Sequence, residues 1–231
     1  PDVRAPASMP LHCEMALRVM EEAAIRNAVV AGRMCNYLGQ VAEPDGRVPI
    51  VLAQVRDYPR ASHWDHPLFS GDSPNPTASL VGLLTAQGAQ HAWLTSAAQW
   101  CWQRLPSPLG DAHEIVRALV FLQYAADRPR AEKLAIELVG RADSAAFYLR
   151  EPGATQYGIT PLNLCPRPDS IARSAFTDEL LEAHLDDLAA RQQEDGGWPI
   201  FFQPASPAAV LEWRGRRTIE ALVTLRAWRR I

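Results

Sequence analysis

Asp111, His113 and Glu114 stand close together in the chain, two carboxylates flanking an imidazole. Such a group can pass protons near neutral pH, because histidine titrates there and burial moves a carboxyl toward it. Glu212 is a further carboxylate, set beside the aromatic Trp213. His63-Trp64-Asp65-His66 raises metal binding, since its two histidines would lie one turn apart on a helix. The stretch precedes Pro67 in an irregular region, and metal sites gather ligands that converge from more than one segment, so no metal is assigned. His113-Glu114 opens like a zinc-protease helix, but Arg117 occupies the place of the second histidine, and that reading fails.

The bulk properties exclude several classes. The 231 residues include 23 basic and 26 acidic side chains, a net charge of −3, so no electrostatic footprint for nucleic acid is present. The length suits one domain, 1–231, with a sizeable core. The basic runs Arg214/Arg216/Arg217 and Arg226/Arg229/Arg230 read as the solvated face of a C-terminal helix. Cys13, Cys35, Cys101 and Cys165 lack CxxC spacing, and three of them fall in apolar helical runs. They read as free thiols in a reducing cytoplasm. No apolar run approaches the ~20 residues of a membrane span. No signal peptide is read, although the chain begins at Pro1 rather than methionine and leaves room for residues upstream.

Helical periodicity dominates the elements that must position these residues. Leu180, Leu181, His184, Leu185 and Leu188 recur at helical spacing after a capping Thr177 or Asp178. Comparable runs cover 11–22, 25–40, 77–88, 91–104, 111–126, 129–142 and 213–229. The helices alternate between small, apolar ones (75–88, 110–125, 213–228) and amphipathic ones (25–40, 91–104, 129–142, 177–193), as stacked hairpins do. "RVPIVLAQV" at 47–55 reads as a strand or a packed loop. The irregular segments 41–75 and 143–176 are long enough to suggest a functional role.

"QQEDGGW" at 192–198 follows an amphipathic helix, and its parts have local reasons. Gln192 or Gln193 can bond the helix end, Gly196 and Gly197 let the chain reverse, and Trp198 can fold back on the neighbouring pair. A degenerate copy, "QVAEPDGRVPI" at 40–50, keeps Pro44-Asp45-Gly46 but has Arg47 and Val48 where glycine and tryptophan would stand. This stretch resembles the QW repeat of the superfamily of squalene–hopene cyclases, oxidosqualene cyclases and protein prenyltransferase β-subunits. The wording is most similar to small bacterial members with prenyltransferase or squalene-oxidase repeats, over most of 11–231. The resemblance implies an all-α fold, an α/α toroid of four or more helical hairpins, with room for helices ahead of Pro1.

The family's reaction motifs are missing. His184-Leu185-Asp186-Asp187 lacks the first aspartate of the DxDD acid and reads as a solvated acidic face on an outer helix. No DDxxD is present, nor the D-x-C that holds zinc in protein prenyltransferases. In a toroid, however, the inner helices run parallel and their N-termini share one rim over a central cavity. That would gather Asp72 and Asn75, then Asp111, His113 and Glu114, then Glu212 and Trp213, with the long segments adding His63, Trp64, His66, Tyr157 and Asp169, and Trp198 on the wall. Asp72, Asn75 and Asp111 also read as plain helix caps, and Glu114 as half of a capping box. Trp93, Trp100 and Trp102 read as outer-helix packing.

The expectation is a cyclase- or isomerase-type enzyme acting on a hydrophobic, terpenoid-type small molecule. Its acid or base would be Asp111, His113, Glu114 or Glu212, and no cofactor is assigned. The alternatives are a toroid that binds a ligand or protein without turnover, and a glycoside-active α/α barrel. Oligomeric state is left open.

Overall fold

The computed structural model describes residues 3–65 and 71–231, and His66 lies outside the described residues. The fold is all-helical, with isolated bridges but no strand among the described residues. The helices are α1 (Pro10–Glu22), α2 (Ala28–Val41), α3 (Thr77–Ala86), α4 (Ala92–Arg104), α5 (Ala112–Gln123), α6 (Arg128–Gly140), α7 (Pro161–Leu164), α8 (Asp178–Ala190) and α9 (Pro207–Ala227). None of those described is long and apolar enough to cross a membrane.

The composition of α3 explains its place. Every residue from Thr77 to Leu84 is buried, as befits a helix that is apolar all round. It packs against α1, α4 and α5, and α5 packs in turn on α6 and α7. Gly82 permits the close approach of α3 to α5, since a Cβ there would lie 2.4 Å from the carbonyl oxygen of Val120. Helices α1, α3 and α5 thus form a row with α3 in the middle, and α2 and α4 touch each other. Helix α8 packs on α7 and α9. The 47–55 stretch is no strand: Val48 and Ile50 are buried as packed loop ahead of a short 3-10 turn over Ala53–Asp57. The cysteines are free and buried, and desolvation pushes Cys13 and Cys165 up to about 11.

The two repeat turns have one hydrogen-bond scheme. Gln193 N donates to Gly197 O at 2.9 Å, and Glu43 N donates to Arg47 O at 2.8 Å. Gly196 N donates to Gln193 O, as Gly46 N does to Glu43 O. Asp195 Oδ1 accepts from Gly197 N at 3.0 Å, and Asp45 Oδ1 from Arg47 N at 3.2 Å. The following residue donates to a threonine of the next helix in both, Trp198 N to Thr218 Oγ1 at 3.1 Å and Val48 N to Thr77 Oγ1 at 2.9 Å. Even the arginine is kept: Arg214 reaches Asp195 from α9, while Arg47 pairs with Asp45 within its own turn. Trp198 is buried and donates Nε1 to Leu188 O at 2.7 Å. The first turn lacks that tryptophan and instead receives Nε1 of Trp93, from α4, on Gly46 O at 2.9 Å.

This difference makes a prediction. Gly46 and Gly196 have φ of +94° and +80°, where a side chain is strained. A Cβ on Gly196 would meet only Gln192 Nε2 at 3.9 Å, whereas one on Gly46 would lie 2.9 Å from the backbone nitrogen of Ala97. Gly196→Ala is expected to cost about 1–2 kcal/mol, and Gly46→Ala at least about 1 kcal/mol more because α4 must shift. Urea unfolding of the two variants measures the order, and equal losses would show that α4 yields freely.

Two expected element boundaries are corrected. The last helix begins at Pro207, after Ser206 whose side chain accepts from Ala209 N, so Glu212 and Trp213 lie in its second turn rather than at its start. Helix α3 has Pro76 at its N-cap, behind a cis Asn75-Pro76 bond, with no side-chain cap from Asp72 or Asn75.

Candidate functional site

A cavity of about 980 Å³ opens between α1, α5, α8, α9 and the segments 147–171 and 198–203. That is the upper part of the range, roughly 300–1,000 Å³, in which small-molecule sites fall. Leu119, Val120, Leu162, Ile171 and Leu188 supply apolar wall.

At the start of α5 a chain of short hydrogen bonds enters this cavity. Asp111 caps the helix by accepting from His113 N at 2.7 Å, and the same Oδ1 lies 2.5 Å from His113 Nδ1. A carboxylate only accepts, so Nδ1 carries the proton and Nε2 is left as the acceptor of the neutral ring. Tyr157 OH lies 2.6 Å from that Nε2. Burial would raise Asp111, but its bonds to His113 outweigh it and hold the carboxyl below the usual range. Burial pushes the Tyr157 phenol up, against the pull of Arg117 and Arg217. The Tyr157 ring stacks on His113 at 5.6 Å and meets Phe202 edge-on at 5.4 Å, and Phe202 meets Trp213 at 5.3 Å. The aromatic wall is therefore continuous from α5 to α9.

Deeper in, α1 and α5 share a buried ion cluster. Glu14, 1 % exposed, holds both Arg18 and Arg117 on one oxygen at 2.9 Å. Its second oxygen has no hydrogen-bond partner among the described residues, and the nearby Ser79 hydroxyl donates to Pro76 O at 2.9 Å. Burial alone would raise Glu14, but Arg117 and Arg18 hold it below the usual carboxylate range. Arg117 is lowered by burial and by the like charges of Arg18 and Arg216, against the opposite pull of Glu14. On α9, Arg216 and Arg217 both bind Glu220, at 2.8 and 3.1 Å.

Of the residues singled out from sequence, Asp111, His113, Glu114, His63, Trp64, Asn75, Tyr157, Trp198 and Trp213 all line this cavity. Asp111, His113 and Tyr157 are in direct contact. Glu114 lies outside their hydrogen-bond chain, and the Asp111 cap closes on His113 N with no capping box to Glu114. Asn75 Oδ1 is buried without a hydrogen-bond partner among the described residues. Three residues are not brought to the site. Glu212 pairs with Arg4 at 3.8 Å on the surface because the helix starts earlier than its pattern suggests. Asp72 faces solvent and pairs with Arg104, and Asp169 faces solvent beside Arg167.

Sequence reasoning missed the charged half of the cavity. Arg216 and Arg217 are wall residues, not a solvated face, and Asp187 with Arg191 lines the cavity from α8, where only outer surface was expected. Asp186 does face outward, paired with Arg230. Glu14 and Arg18 are four apart on α1, a signal that reads equally as a surface pair. No protein-family model matches the chain, and neither curated proteins nor solved structures give a match.

Proposed function

We propose that the helices form an α/α toroid of the terpenoid-cyclase kind, and that the chain is a cyclase- or isomerase-type enzyme acting on a hydrophobic, terpenoid-type molecule in its central cavity. The row of α1, α3 and α5 and the twice-used turn support the toroid. The observation that carries the chemistry is the Asp111–His113–Tyr157 chain on an apolar cavity wall. Tyr157 meets the ligand: as its oxygen takes a proton from the ligand, the phenol proton passes to His113 Nε2, the reverse transfer delivers a proton to the ligand at another position, and Asp111 fixes the ring tautomer. The raised phenol stays protonated at neutral pH, so the proton that moves to His113 is in place. Binding without turnover is the second reading, favoured by the fact that Asp111 is also the cap of α5.

The test is incubation of the protein with squalene, farnesol, farnesoic acid, farnesyl diphosphate and geranylgeranyl diphosphate, with and without magnesium, followed by product analysis and thermal melts. A ligand at 100 times its Kd should stabilise by about 2.7 kcal/mol. Conversion of one of them is the expected result. A melting shift without any product favours the binding reading, and neither shift nor product with the whole panel removes the terpenoid class.

A further inference from the structure

The charged corner of the same cavity says what kind of ligand end it takes. Arg18 and Arg117 share Glu14, and Arg216 and Arg217 share Glu220, so four guanidiniums rest on two carboxylates. Glu22 faces Arg18 and Arg216 and offsets one of the two spare positive charges. Asp111, which also feels Arg117, offsets the other, because a hydrogen bond from the His113 ring leaves its charge in place. The corner is therefore balanced, and what it offers a ligand is its donors.

The donors are equally telling. Arg117 contacts Glu14 through Nε, and Arg216 contacts Glu220 through Nε. The Nε of Arg117 meets Glu14 as an ion pair without hydrogen-bond geometry, and among the described residues no protein group accepts a hydrogen bond from the terminal nitrogens of either side chain, although both line the cavity. A guanidinium whose fork is left open suits a planar carboxylate, which it can bind through two parallel N–H donors. The aromatic wall begins beside this corner: Arg216 lies over the Trp213 ring at 5.9 Å, and Tyr157 is close enough to feel the charges of both Arg117 and Arg217.

We propose that the cavity takes a hydrophobic monocarboxylate, its carboxylate seated on the open forks of Arg117 and Arg216 and its apolar body along the Tyr157–Phe202–Trp213 wall. This rests on the reading of the cavity as the ligand site. The seat also puts the atoms next to the carboxylate within the neighbourhood of the Tyr157 phenol, where the proton chain ends.

Decanoate, 1-decanol and decyl phosphate, matched in chain length, are the probes, with Kd measured by calorimetry on the wild-type protein and on Arg216→Gln and Arg117→Met. Arg216→Gln is the safer variant, because Glu220 keeps Arg217. Decanoate is expected to bind at least about tenfold tighter than decanol, and Arg216→Gln to lose most of that margin while decanol affinity stays unchanged. Arg117→Met, where it folds, should lose more. Equal binding of decanol and decanoate overturns the carboxylate seat but leaves an apolar cavity, as does an Arg216→Gln variant that binds decanoate like wild type. Decyl phosphate binding more tightly than decanoate overturns the carboxylate in favour of phosphate, and no binding by any probe overturns the ligand class. Affinity is read without turnover, so failure here is separate from failure of the proton chain, which shows in product formation.

Discussion

Replacement of Glu14 by leucine is expected to destabilise the protein by about 3–5 kcal/mol, because it strands two buried cations. Arg18 and Arg117 are only about a fifth exposed, at 21 and 20 %, and both rest on Glu14. The loss is therefore that of an uncompensated charge rather than of one hydrogen bond. Urea unfolding measures it, and the double variant Glu14→Leu/Arg117→Met should lose less than the sum of the single losses, since each half is costly mainly without the other. Additive losses would show that the two side chains do not act as a pair. The pH dependence has a definite sign. Glu14 is held below the ordinary carboxylate range in the fold, so its contribution is complete at neutral pH and fades as pH falls from about 5 through the depressed value. Stability of the wild-type protein should drop through that window, and Glu14→Leu should flatten the drop. A variant with the wild-type acid slope would assign it to other carboxylates.

His113→Gln and Tyr157→Phe are expected to lower turnover by about 10²–10⁴-fold while leaving stability within about 1 kcal/mol. Both side chains border the cavity, and their principal contacts are with each other and with Asp111. Asp111→Asn separates the two roles of that residue. Asparagine caps a helix as well as aspartate does, so the fold should keep its stability. An amide can, however, donate to Nδ1 and let the imidazole settle in the other tautomer, which takes the acceptor away from Tyr157. Full activity in Asp111→Asn would reduce Asp111 to its capping role. Glu114→Gln should have the smaller effect, because Glu114 lines the cavity without joining the hydrogen-bond chain. Product formation by the four variants, with the melting temperature of each as a control, ranks them.

The local parts of this molecule were legible in the chain because their causes are local. Helical spacing marked α8 with its Thr177 cap, and the glycine-tryptophan turn announced a reversal that Gly196 makes at positive φ. The degenerate turn at 40–50 was readable from Pro44-Asp45-Gly46, since the scheme needs only backbone groups, one carboxylate and one residue free to take positive φ. Asp111 and His113 were also visible, being two positions apart where a cap and an imidazole must meet. Tyr157, 44 positions from His113, was reached only by supposing that its segment covers the rim.

Tertiary structure decided the rest. Glu14 and Arg117 lie far apart in the chain, and nothing in either neighbourhood marks a charge that will be buried. A basic stretch such as Arg214–Arg217 looks the same whether it faces water or a cavity, because only the packing of α9 determines which face is covered. The start of α9 at Pro207 had a local signal of its own, the capping Ser206 followed by proline at the first helical position, which the stronger periodicity after Trp213 overshadowed. Sequence by itself determined helices, turns and one pair of proton-carrying neighbours. The cavity, the stranded guanidinium forks and the meeting of His113 with Tyr157 depend on which helix faces are brought together across long separations, and no local pattern encodes that.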